Sequence, residues 1–111
     1  MDEIKKMTED VVKTFENYKN QGTKPWNYET AIQDLSYQVG SLNKAFLQMK
    51  GYRHKGNLSD KDIKENLTDE LADILSLVLI IAHELDINLK EAWRKMLASD
   101  KRKIDERSNN S

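Results

Sequence analysis

Apolar residues recur along the chain in four runs spaced by three and four, the period of one helix face. Ile4, Met7, Val11, Phe15 and Tyr18 form the first run and predict a helix from about Asp2 to Tyr18. NQGTKPW, residues 20 to 26, breaks the pattern: Gly22 can end a helix and Pro25 interrupts one. The second helix starts near Asn27 or Tyr28 and reaches about Lys50, with the stripe Ile32, Leu35, Val39, Leu42, Phe46 and Met49. GYRHKGNLS, residues 51 to 59, is a polar loop. Ser59 is a good N-cap for a third helix, with Asp60 and Asp62 in the first turn, where the helix dipole favours negative charge. That helix runs to about Leu85 on the stripe Ile63, Leu67, Leu71, Ile74, Val78, Ile81 and Leu85. Asn88 caps a fourth helix, with Glu91 three residues later as in a capping box. Leu89, Ala92, Trp93, Met96 and Leu97 give this helix its apolar face.

Four helices with short links predict an all-α, four-helix bundle. ILSLVLIIA, residues 74 to 82, is apolar nearly all round, which makes the third helix the central one. Three neighbours in so small a chain cannot cover such a helix on every side. The bundle is therefore expected to be completed by homo-oligomerisation, as a homodimer or homotetramer. Residues 1–106 read as a single helical domain, and the polar tail RSNNS, residues 107–111, as frayed.

Composition agrees with a helical domain: 38% hydrophobic, 33% charged, four glycines and one proline. A net charge of -1 supplies no basic field for a nucleic-acid polymer. The absence of cysteine excludes disulfides and thiolate metal sites. The charged N-terminus MDEIKKMTED lacks the apolar core of a signal peptide. Residues 74 to 82 fall far short of the ~18 apolar residues a membrane helix needs. The expectation is a cytoplasmic protein that does not enter a membrane.

Two carboxylates change the picture. Glu70 and Asp73 are three apart on the third helix, hence neighbours, just before its most apolar part. Charge there is costly unless it is paired or bound to metal. Asp69 and Glu65 extend the acidic patch. One outlet is an ion pair with Lys44, Lys95 or another helix-borne base. The other is Mg²⁺, which two carboxylates plus substrate phosphates commonly hold. The second helix has the same layout, but its matching flank carries the neutral Gln38 and Ser41.

QVGSL at 38 to 42, DELADILSLVLIIAHELDINLKEAW at 69 to 93 and KMLASDKR at 95 to 102, in this order and spacing, resemble the MazG-like all-α nucleoside triphosphate pyrophosphohydrolases. The resemblance covers roughly residues 26 to 104. It implies hydrolysis of a nucleoside triphosphate between the α and β phosphates, giving a monophosphate and pyrophosphate. It implies that Glu70 and Asp73 are the catalytic carboxylates and hold Mg²⁺, with Mn²⁺ as a substitute, and that Lys95 and Arg102 bind phosphate. Where the family has ExxE, this chain has Gln38 and Ser41, and the usual Asn of the last motif falls on Ser99. Three explanations follow. The fold is kept and catalysis is lost, leaving a nucleotide-binding or structural protein. Or one metal works on Glu70 and Asp73, helped by Asp34, one turn before Gln38. Or the register differs and another acidic residue serves.

The remaining chemistry-bearing residues read as structural. Trp26 and Trp93 could stack on a base, but such residues more often pack a core edge. His54 lies in the basic loop YRHKG, where solvation is the simpler role than phosphate contact. His83 reads as a hydrogen-bonded interior or interface histidine. KMLASDKRKIDER is mixed in sign and reads as a solvated face. Gly40 would let two helices approach closely. No Ser-His-Asp set, glycine-rich phosphate loop or zinc spacing is present.

Overall fold

The computed structural model describes residues 2–22 and 27–109 of the chain. They form four α-helices and no strand: α1 Glu3–Asn20, α2 Tyr28–Met49, α3 Asp60–Glu84 and α4 Leu89–Asn109. Trp26 lies outside the described residues. None of the described helices is long and apolar enough to cross a membrane.

The helix ends follow from local chemistry. Asn27 caps α2 by accepting from the Thr30 N–H at 3.0 Å. Ser59 and Asp62 make a full capping box: the Asp62 N–H donates to the Ser59 hydroxyl at 3.1 Å, and the Ser59 N–H to the Asp62 carboxylate at 3.0 Å. The Ser59 N–H and, secondarily, the Ser59 hydroxyl favour the charged form and hold the Asp62 carboxyl below its ordinary value. At Asn88 the Glu91 N–H donates to the capping side chain at 3.1 Å.

α2 closes with a Schellman motif on Gly51, whose φ is 82°; the Tyr52 N–H reaches the Leu47 carbonyl at 2.9 Å. α3 closes the same way without a glycine. The Ile87 N–H reaches the Ala82 carbonyl at 2.8 Å, the Asp86 N–H reaches that of His83 at 3.3 Å, and Asp86 carries a φ of 53°. Aspartate tolerates this left-handed conformation better than most residues.

α2 and α3 pack as an antiparallel hairpin. Asp34 and Gln38 of α2 lie across from Asp73 and Leu77, and Leu42 and Phe46 share a groove with Leu67. α1 lies on α3. Ala31, Leu77 and Ile80 form the buried centre, packed by Val11, Val12, Phe15, Leu35 and Ile81. Ala45, Ile63, Leu79 and Ala82 are buried beyond it. Each such Leu or Ile contributes about 1.5–3 kcal/mol of burial. α3, which holds five of the seven buried core residues, is the central element.

Four expectations are corrected. A Cβ at Gly40 would meet no atom within 4 Å, so α2 makes no close approach there; its buried small residues are Ala31 and Ala45. His83 is exposed, not interior. α4 runs helically through Asn109. α4 is also not a fourth wall of a closed bundle: it has no buried residue and scarcely touches the other helices. Trp93 is 60% exposed, so its apolar stripe packs no core edge within the chain. The radius of gyration, 18.2 Å, reflects that outlying helix; a compact chain of this length has about 13 Å.

Candidate functional site

α1, α2 and α3 meet at a cleft of about 290 Å³. Asp34 and Gln38 line it from α2, Asp73, Ser76 and Leu77 from α3, and Phe15 and Tyr18 from α1. Helical spacing explains the two polar walls. Asp34 and Gln38 are four apart, Asp73 and Ser76 three apart, so each pair projects from one face. The Ser76 hydroxyl turns back to donate to the Asp73 main-chain carbonyl at 2.7 Å, which leaves the Asp73 carboxylate out of that bond. The aromatic wall makes the cleft more apolar than its carboxylates suggest.

Glu70 stands one turn along α3 from Asp73, on the same side of the helix. In the antiparallel register this is the direction in which Ser41 follows Gln38 on α2. One Glu70 carboxylate oxygen is shut off from solvent and has no hydrogen-bond partner. Burial pushes the Glu70 carboxyl above its ordinary value, and the negative charges of Asp73 and Asp69 push it the same way. The ion pairs among the described residues are Lys55 with Asp60 at 3.1 Å and Lys90 with Asp2 at 4.0 Å. Neither involves Glu70 or Asp73, so the pairing with Lys44 or Lys95 is not made within the chain.

An orphaned carboxylate oxygen next to a second carboxylate suits a hard cation, which takes oxygen donors and lowers the cost of keeping both charged. Glu70 and Asp73 therefore fit Mg²⁺ as a two-carboxylate site. They fit nothing larger: among the described residues no group of three or more His, Asp or Glu could hold a metal ion. Asp34 faces the same cleft as Asp73 without completing such a group.

The structure thus brings Glu70, Asp73, Gln38 and Asp34 to one region of the α2–α3 pair. It does not bring Lys95 and Arg102 there. Both are exposed on α4, which does not pack over that region. His54 is tied into its own loop, where its Nδ1 accepts from the Gly56 N–H at 2.9 Å and its carbonyl from the Gln48 side chain at 3.3 Å.

The residues that sequence reasoning misses here are Phe15, Tyr18 and Ser76. Phe15 and Tyr18 sit on the apolar stripe of α1, which marks them as inward-facing but not which neighbour they meet. Compared with family models, curated proteins and solved structures, the chain matches none.

Proposed function

We propose that this protein is a Mg²⁺-dependent nucleoside triphosphate pyrophosphohydrolase of the MazG-like kind, working with half the usual acidic set. The observation that carries this reading is the buried Glu70 oxygen without a partner, one turn from Asp73 and beside a cleft with an aromatic wall. Glu70 and Asp73 would hold the cation. Mg²⁺, when bound, offsets phosphate charge and favours ionisation of a water for attack between the α and β phosphates. Phe15 and Tyr18 offer flat apolar surface for a base. Asp34, across the cleft, can take a proton from water. Lys95 and Arg102 would steady phosphates only if a second copy carries them to the cleft, in a homodimer or homotetramer.

A second reading is favoured by Gln38, which lines the cleft where the resemblance calls for a carboxylate, and by the lack, among the described residues, of a third acidic ligand. In that reading the protein binds a nucleotide, or serves a structural role, without turnover.

Pyrophosphate release from a panel of nucleoside triphosphates with Mg²⁺ or Mn²⁺ decides between them. Turnover that falls at least about 100-fold in Glu70→Gln supports the enzyme, since that change removes a carboxylate from a two-carboxylate site. No turnover, together with activity in the double change Gln38→Glu and Ser41→Glu, supports the second reading. No turnover in either protein, and no thermal shift with Mg²⁺ and nucleotide, overturns both.

A further inference from the structure

Among the described residues, α4 is an amphipathic helix that buries none of its residues and scarcely touches the other helices. Trp93, Met96, Leu97 and Ile104 fall along one side of it, and each is between 44% and 62% exposed. A second apolar surface lies on the α2–α3 hairpin. Val39 and Phe46 of α2 and Leu71 and Leu75 of α3 are all exposed large hydrophobics. Val39 and Phe46 line a groove with Leu42 and Leu67, and Leu71 and Leu75 follow Leu67 by one and two helical turns along α3. None of the described helices covers this surface, because α1 packs at the other end of α3, on Leu77 and Ile80.

The surface area indicates how much covering is missing. The chain exposes 8970 Å². A compact folded monomer of its mass exposes about 6,300 Å². The excess, about 2,700 Å² per chain or about 5,400 Å² for a pair, reaches the upper end of what obligate dimers bury in total.

Charge indicates which surface meets which. α3 carries seven acidic residues against two basic ones. α4 carries seven basic residues against four acidic ones. Pairing the hairpin face with itself would set two acidic α3 helices side by side, and pairing α4 with itself would set two basic helices together. Opposite signs meet only when α4 lies on α3, and its own α3 is not the one it covers.

We infer that the protein forms a homodimer by arm exchange, in which α4 of each copy lies on the α2–α3 hairpin of the other. The Trp93, Met96 and Leu97 stripe covers Val39, Phe46, Leu71 and Leu75. The lysines and arginines on the flanks of α4 meet the acidic side of α3. The inference rests on exposed faces and charge, independently of any catalytic activity.

Sedimentation of the full chain and site-directed cross-linking test it. The expected mass is twice that of the chain, and a monomer at 100-fold the concentration of a typical assay overturns the proposal. Trp93→Glu with Leu97→Glu should weaken association at least about 30-fold, since buried aromatic anchors dominate interfaces. Its far-UV circular dichroism should stay that of a helical protein, because both positions are exposed within the chain. Association that is unchanged in this variant overturns the proposal. The chain has no cysteine, so single introduced thiols report cleanly. Leu97→Cys mixed with Leu71→Cys or Leu75→Cys should give cross-links between differently tagged chains with a short bismaleimide. A dimer that joins Leu97→Cys only to itself, or Leu71→Cys only to itself, or joins none of these, overturns the exchange.

Discussion

α3 and α4 are alike as sequences and unlike as structures. Each is a long amphipathic helix with a capped start, Ser59 for α3 and Asn88 for α4. α3 buries five residues and touches both α1 and α2, whereas α4 buries none. A periodic stripe states that a face will leave water. It does not state whether the cover comes from the same chain. α3 carries apolar residues nearly all round from Ile74 to Ala82, so two neighbours can reach it at once. α4 has one narrow stripe on an otherwise charged helix, which its own chain leaves open.

The largest effect should separate the two helices by core truncation. Leu79, 1% exposed, should lose about 2–5 kcal/mol on Leu79→Ala, a drop in melting temperature of ten degrees or more. Trp93→Ala should leave the unfolding free energy of the dilute monomer within about 0.5 kcal/mol. A large loss there at low concentration would mean that α4 packs on its own chain after all.

Cap removal sharpens the same contrast at a smaller scale. Ser59→Ala breaks the capping box and should cost about 1 kcal/mol of global stability in a denaturant titration. Asn88→Ala should instead fray α4, seen as faster amide exchange over residues 89 to 92 with the main transition unmoved.

Glu70 makes a pH-dependent prediction. Its carboxyl holds a proton to higher pH when folded than when unfolded. Stability from this group is therefore full below the ordinary carboxylate range and is lost as pH rises through the raised folded value. Glu70→Gln removes that loss. The variant should be more stable than the parent by about 1 kcal/mol at neutral pH, the scale of an unsatisfied buried acceptor. The gain should vanish on acidification below the unfolded carboxylate range, as read from melting temperature against pH. Saturating Mg²⁺ should stabilise the parent and not the variant.

The smallest effects concern backbone. Gly40→Ala, mid-helix with open space around it, should stabilise α2 by about 0.5–1 kcal/mol. A loss at dimer concentrations would place a partner's helix against Gly40.

Much of the fold is legible in the sequence because its causes are local. Ser59, Asn27 and Asn88 announce helix starts through short-range hydrogen bonds, and the stripes of α1 to α3 name the faces that pack. Glu70 and Asp73 are legible as a pair because helical spacing alone makes them neighbours. The cleft is not, since Phe15 and Tyr18 reach it only through the docking of α1 on α3, a contact between residues far apart in sequence. The end of α3 is also obscure: a Schellman motif usually advertises itself by glycine, as at Gly51, but here the left-handed position is held by Asp86.

Under the proposed arm exchange, that aspartate has a consequence for assembly. The two backbone bonds around Asp86 set the heading of α4 as it leaves α3, so in that exchange each molecule would present one projecting arm and one socket at a set angle. Such a molecule can satisfy both features reciprocally, which closes at two copies, or head to tail, which runs on into a filament. The angle chooses between them. A residue that abandons the left-handed turn would therefore change how many copies join before the surfaces are used up, while leaving every apolar contact residue in place.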